Sequence, residues 1–403
     1  MSEGASIVNF IYISPQFPRT NWYFCERLKR NGVNVLGIGD TPYDALPQEV
    51  RDAVNEYYYL DSLEDYDKVF RAVAFFSFKY GKIDWIESNN EYWLELDARL
   101  RSDFNVTTGV KLHDVRAIKS KALMKAQYRA AGIPSARQER VRDKAQCMAF
   151  IARVGFPVIV KPEIGVGATD TWRLNSESDV DDFFVEKPDE PYVIEEFVDG
   201  NIYSYDAIID SKGEPLFEST TVWPPSIMDI VIEGLDLAYY VSAGMPEELR
   251  RYGRAAVKAF RAERRFVHLE FFRLSRDHEG LGKKGAFVGL EVNMRPAGGY
   301  TPDMMNYAHS IDVYQIWADM VSFDERRVPP ASEEHCCVYA GRRDGVSYCH
   351  SEQEIFDRYG GDIMMCERLP EMMVPQMGSK MYTARVSDDD DAHEFIDFVE
   401  TRA

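Results

Sequence analysis

Gly289-Leu290-Glu291-Val292-Asn293-Met294-Arg295-Pro296 is the stretch on which the fold turns. Its apolar and polar residues alternate with a period of two, the signature of a strand with two unlike faces. Glu291, Asn293 and Arg295 share one face, and Leu290, Val292 and Met294 pack the other. Upstream, Leu269-Glu270-Phe271-Phe272 sets a carboxylate among apolar neighbours, where an unpaired charge would be costly. Two carboxylates and an amide oxygen make an all-oxygen set suited to magnesium, with an arginine beside it placed for phosphate. Read alone, the same residues could simply pair with each other as a salt-bridged strand face.

Two segments nearer the N-terminus carry related chemistry. In Val158-Ile159-Val160-Lys161-Pro162-Glu163-Ile164-Gly165-Val166-Gly167-Ala168-Thr169 a buried strand delivers a lysine, and a glycine-rich turn follows. Lysine is a compact point charge for polyphosphate, and glycines let backbone N-H groups close on its oxygens. A P-loop is excluded, because its lysine follows the glycines and opens a helix. A hairpin turn with a surface lysine fits the segment equally well. Val193-Ile194-Glu195-Glu196-Phe197-Val198-Asp199-Gly200 ends a strand in two carboxylates and an apolar pair. It suits an interdomain hinge whose backbone reads an adenine edge, or an ordinary hydrated strand end.

The first 110 residues alternate strands (Ile7 to Ile13, Val33 to Ile38, Ile83 to Ile86) with helices (Trp22 to Arg30, Leu63 to Tyr80), which predicts an open, mainly parallel sheet. The first turn, Ser14-Pro15-Gln16-Phe17-Pro18, has no glycine, so the Rossmann-like architecture comes without its dinucleotide fingerprint. One helix is expected from His113 to Ala131, closed by Gly132 and Pro134. A short helix then runs from Asp143 to Arg153. Strands at Pro157 to Lys161, Thr169 to Leu174 and Tyr192 to Phe197 form a small α+β unit. Further strands are expected at Tyr203 to Ile209, Leu216 to Val222, Phe266 to Leu274 and Ala286 to Asn293, and helices at Pro246 to Glu263 and Ile311 to Val321. Asp388 to Asp391 reads as the acidic first turn of a C-terminal helix rather than as a metal site.

The 403 residues include 47 basic and 67 acidic side chains, a net charge of -20 that repels phosphate backbones and anionic membranes. Nucleic acid is therefore an unsuitable partner. The six cysteines form no CxxC pair and read as reduced thiols of a cytoplasmic protein. No run approaches the roughly 20 apolar residues of a spanning helix, and the N-terminus reads as a strand rather than a signal sequence.

Taken in order, these segments resemble the ATP-grasp superfamily, and within it the carboxylate-amine ligases. Lys121-Ala122-Leu123-Met124-Lys125 resembles the first lysine helix, Val160-Lys161-Pro162 the second lysine strand, Glu195-Glu196-Phe197-Val198 the hinge, and Glu291 to Pro296 with Gly298-Gly299 the metal and phosphate strand. The resemblance implies a multidomain α/β and α+β chain. Residues 1–112 would be a Rossmann-like domain, 113–194 a lid, and 195–403 a C-terminal antiparallel-sheet part. It implies that Lys121 and Lys161 hold the α- and β-phosphates of ATP, and that the loop with Gly165, Gly167 and Thr169 closes over the β- and γ-phosphates. Glu195, with Glu196, would serve the adenine, and Phe197 and Val198 would be the hinge. Glu270, Glu291 and Asn293 would bind Mg2+, with Mn2+ as an alternative, and Arg295 would stabilise the transferred phosphoryl group. The expected partners are a small carboxylic acid and an amine, one of them an amino acid; homodimerisation is left open. Two departures stand out: Ile202 replaces a ribose-binding glutamate of many relatives, and Ser120 stands where many have aspartate. Activation of bicarbonate, a kinase without an amine step, and a non-catalytic nucleotide-binding regulator are the alternatives.

Overall fold

The computed structural model describes residues 7–165, 170–224, 235–330, 333–371 and 373–403. Strands β1 (Asn9–Ile13), β2 (Asn34–Gly39), β3 (Glu56–Tyr59) and β4 (Trp85–Glu87) form a wholly parallel sheet in the order β3-β2-β1-β4. Every residue of β1 is buried, which accounts for its continuous apolar run with helices on both faces.

A second, antiparallel sheet, in the order β5-β8-β6-β7, holds β5 (Gln138–Arg140), β6 (Val158–Pro162), β7 (Trp172–Leu174) and β8 (Tyr192–Glu196). It has a small core of its own, with Phe150, Val158, Val160, Phe183 and Ile194.

The third sheet comprises β9 (Gly200–Ile209), β10 (Pro215–Ser219), β11 (Thr221–Trp223), β12 (Ala238–Val241), β13 (Arg265–Leu274), β14 (Phe287–Asn293), β15 (Cys336–Arg342), β16 (Ile363–Arg368) and β17 (Lys380–Val386). Its order is β14-β13-β9-β11-β12-β15-β17-β16, with β10 also on β9. One face of this sheet shares a core with the parallel sheet: Phe10 and Phe24 meet Trp317 edge-on, at ring distances of 5.7 and 5.0 Å.

Several expected elements differ in detail. The helix expected from His113 to Ala131 is two helices, Leu112–Lys119 and Lys121–Ala130, because Ser120 adopts an extended conformation and caps the second through its side chain. The second helix packs Met124 and Tyr128 into the core of the third sheet. The run Leu216 to Val222 divides at Thr220, whose hydroxyl donates to the Ser204 carbonyl, and both halves stay paired with β9. At the C-terminus, Asp388 caps the helix Asp389–Glu400 by accepting from the backbone N-H groups of Asp390 and Asp391. Among the described residues no helix is long and apolar enough to cross a membrane.

Candidate active site

The alternation read from the sequence becomes a small grid on one face of the third sheet. In the antiparallel pair β13–β14, Glu270 stands opposite Glu291 and His268 opposite Asn293, and the register shifts just after Glu270. All four side chains therefore point the same way, while Leu269 and Val292 go into the core on the other face. Burial raises the pKa of Glu291, and Glu270 adds to the rise while Lys121 opposes it. For Glu270, burial pushes upward, but His268, Arg295 and Lys161 outweigh it and the pKa falls. Two like charges held side by side are destabilising unless cations answer them.

The cations come from the helix after Ser120 and from β6. Lys121 Nζ lies 3.7 Å from Glu291 Oε1 and donates to the Gly165 carbonyl at 3.2 Å. Lys161 Nζ lies 2.8 Å from Glu195 Oε2; burial disfavours its charge, yet Glu195 and then Glu291 raise its pKa. A third lysine, Lys125, is fully buried, donates to the Gly289 carbonyl at 3.1 Å and lies 3.7 Å from Glu195. Between Lys125 and Lys161, and despite its burial, Glu195 is driven down to about 2. Three ammonium groups and three carboxylates thus neutralise one another across the cleft between the second and third sheets.

At the strand end, the Glu195 carboxylate is engaged by lysines, and Glu196 accepts from the Arg137 backbone N-H and Nε at 2.6 Å each. Phe197 carries Arg173 over its ring at 4.6 Å, and Val198 is buried with Ala136, Leu274 and Val288. Arg295 Nε lies 3.9 Å from Glu91 Oε2, a buried oxygen that accepts no hydrogen bond among the described residues, and Arg295 Nη1 donates to the Pro296 carbonyl at 2.8 Å. Glu270, Glu291 and Asn293 supply oxygen donors only, the chemistry magnesium accepts. Among the described residues no three acidic, histidine or cysteine groups form a closed cage, and such a site suits an ion that shares its shell with phosphate oxygens and water.

No family model matches the sequence. An L-arginine-specific L-amino acid ligase of Bacillus subtilis is 22% identical over 320 residues, 77% of this chain and 74% of that protein. The crystal structure of an L-amino acid ligase from Bacillus licheniformis superposes with a TM-score of 0.69 at 16% identity, covering 98% of both chains. The chain has the ATP-grasp fold. The biotin carboxylase domain of Hydrogenobacter thermophilus 2-oxoglutarate carboxylase, crystallised with MgADP, ADP and bicarbonate, gives a TM-score of 0.68 at 13% identity, covering 99% of this chain and 91% of that one.

Within the ATP-grasp frame, Lys121, Lys161, Gly165, Glu195, Glu270, Glu291 and Arg295 are joined by ion pairs, a hydrogen bond and electrostatic interactions, and Asn293 lies two positions beyond Glu291 on the same strand face, whereas Glu196 is turned to Arg137. Gly167 and Thr169 lie outside the described residues. Sequence reading missed four residues. His268 and Glu91 touch expected site residues directly. Lys125 sat inside a quoted motif, and its full burial is what marks it. Glu163 follows the second lysine by two residues and accepts from Ser120 Oγ and from Arg140 Nε and Nη2, the latter pair at 2.9 and 2.7 Å. The Ser120 hydroxyl is thus paired with the Glu163 carboxylate.

Proposed function

We propose that this chain is an ATP-dependent carboxylate-amine ligase that forms an amide or peptide bond and releases ADP and phosphate. The observation that carries the reading is the opposition of Glu270, Glu291 and Asn293 to Lys121 and Lys161 across one cleft. Without ligand these groups neutralise each other. With MgATP the lysines would turn to the α- and β-phosphates, and Glu270, Glu291 and Asn293 would hold Mg2+. The metal, when bound, supplies charge neutralisation for the phosphates. The loop after Gly165 would cover the β- and γ-phosphates. Because the Glu195 and Glu196 side chains are occupied, the hinge would read adenine through its backbone, against Phe197 and Val198.

In the first step a substrate carboxylate oxygen attacks the γ-phosphorus and ADP leaves, giving an acyl phosphate. In the second, an amine attacks the acyl carbon, phosphate leaves and the nitrogen loses a proton. Arg295 would stabilise the charge on the transferred phosphoryl group, and catalysis would rest on positioning and electrostatics. The Glu91 oxygen beside Arg295, which among the described residues accepts no hydrogen bond and is answered only by the arginine at 3.9 Å, suits the ammonium group of an amino acid, which favours an amino acid as the activated acid.

The test is a phosphate-release screen of paired amino acids and amines with ATP and Mg2+, with nucleotide products identified. ADP and phosphate, and a hydroxamate when hydroxylamine replaces the amine, are expected. AMP with pyrophosphate would refute the acyl phosphate. Release that requires bicarbonate and no amine would assign the chain to the carboxylating alternative.

A further inference from the structure

Glu270 reaches the cleft with one oxygen already engaged. Its Oε1 lies 3.1 Å from His268 Nε2, and His268 Nδ1 lies 2.7 Å from Asp206 Oδ1. The register of β9 with β13 sets His268 beside Asp206 and Glu270 beside Ser204. Asp206 is completely buried, and its second oxygen accepts from the Ser204 hydroxyl and from Thr221 Oγ1, the latter at 3.1 Å. Ser204 is fixed in turn, since its Oγ accepts from the Thr221 backbone N-H at 3.0 Å. Trp223 meets the imidazole edge-on at a ring distance of 5.7 Å. Both ring nitrogens face carboxylate oxygens, so each contact is a hydrogen bond only if the nitrogen donates.

We propose that His268 is a positioning residue for the metal site: buttressed by Asp206, it holds Glu270 through Oε1 and leaves Oε2 to face the cation. This rests on the reading of Glu270 as a metal ligand. A glutamate free to rotate would lose side-chain entropy on binding the ion, whereas one anchored at Oε1 has lost it already. Partners behind metal ligands typically change metal affinity about 10- to 100-fold. Asp206 lies 62 positions before His268 in the chain, which is why the sequence does not expose the arrangement.

Two variants that keep the site polar separate the bonds. His268→Gln can place an amide donor where Nε2 lies, and so keep the bond to Glu270; His268→Asn can keep the bond to Asp206 but is too short to reach Glu270. Mn2+ is the probe, its binding to the full-length protein saturated with a non-hydrolysable ATP analogue read by electron paramagnetic resonance, alongside the Mg2+ concentration for half-maximal activity. His268→Asn is expected to weaken Mn2+ about 10- to 100-fold and to raise the Mg2+ requirement in parallel. His268→Gln should stay within about fivefold of wild type by the same argument. Wild-type Mn2+ binding by His268→Asn, or equal impairment of both variants, would overturn the proposal. Glu270→Gln serves as the reference: if it binds Mn2+ as wild type does, the metal assignment itself fails, an outcome distinct from failure of the histidine's role.

Discussion

That Glu291 and Asn293 share one face was legible from strand alternation alone, and the register with β13 keeps them together, while the strand ends at Asn293 and Arg295 lies beyond it. The two residues do different work in the resting protein. Glu291 answers Lys121 and Lys161 and is repelled by Glu270 and Glu91, so Glu291→Gln removes two favourable and two unfavourable charge interactions. Its melting temperature should stay within a few degrees of wild type while Mg2+-dependent turnover is lost; Asn293→Ala should behave likewise. Wild-type turnover in either variant would take that residue out of the metal set. Ile202 was legible as a departure but not in its consequence. It is buried on the face of β9 shared with the parallel sheet, opposite Trp223 on β11. Of the two nearby carboxylates that could replace the missing glutamate, Asp206 is committed to His268, and Asp199 pairs with Arg276 at 3.1 Å. A charged hydrogen bond to the ribose would be worth about 1.5–3 kcal/mol, so without it 2'-deoxy-ATP should serve nearly as well as ATP. Steady-state kinetics check this: a tenfold or larger loss in kcat/KM would show that another group holds the ribose.

Among the elements, the strands of the site were legible because each carries its own alternation, while the break at Ser120 was not. Leu, Ala, Lys and Arg on both sides of it favour one continuous helix by propensity, and what divides it is a tertiary contact. Ser120 Oγ accepts from the Leu123 backbone N-H and donates to Glu163, and the Glu163 carbonyl accepts from the Lys121 backbone N-H at 3.0 Å. The helix that presents Lys121 is thereby clipped to the start of the glycine-rich loop. Ser120→Asp would retain a capping oxygen but set a second carboxylate against Glu163, which Arg140 holds below the usual glutamate range. We expect Ser120→Asp to raise the KM for ATP several-fold and to lower the melting temperature. Adding Glu163→Gln should recover most of both, because the pair then carries one charge. The double-mutant cycle should give a coupling of about 0.5–3 kcal/mol, the range for residues in direct contact; additive effects would mean that the two side chains act separately.

For the whole molecule, the order of motifs disclosed the three-sheet plan, but the join between the parallel sheet and the nine-stranded sheet is a buried ionic cluster that no local pattern announces. Glu87, at the end of β4, lies 2.8 Å from Arg101 Nη2 and 3.2 Å from Arg265 Nη2, and Arg265 Nη1 donates to the Met294 carbonyl at 2.7 Å. Asp97 accepts from the Ser88 backbone N-H and Oγ, tying down the turn that leads to Glu91. This cluster fixes the parallel sheet to the end of β14, just past Asn293 and next to Arg295, while the second sheet keeps its own core. Two arginines face two carboxylic acids, and burial, with Glu87 adding, raises the pKa of Asp97 to about 7. A folded pKa above the unfolded value of about 3.9 means that the proton bound by Asp97 stabilises the folded state at low pH. That contribution is lost as pH rises from about 4 to about 7 and is constant above it. Arg265→Met removes a positive charge that favours ionised Asp97, so the folded pKa rises further and the loss continues above pH 7. Removing one partner of a buried pair costs about 3–5 kcal/mol when a charge is left unanswered; at pH 6 Asp97 stays neutral in the variant and Arg101 still answers Glu87, so the cost should fall below that range. The melting temperature of Arg265→Met relative to wild type should therefore be depressed more at pH 8.5 than at pH 6. Hydrogen exchange should rise around Ser88 to Glu91 and Met294 but not in residues 144–162. A pH-independent depression would show that Asp97 does not sense Arg265, and that the arginine stabilises the join through the Met294 carbonyl and Glu87 alone.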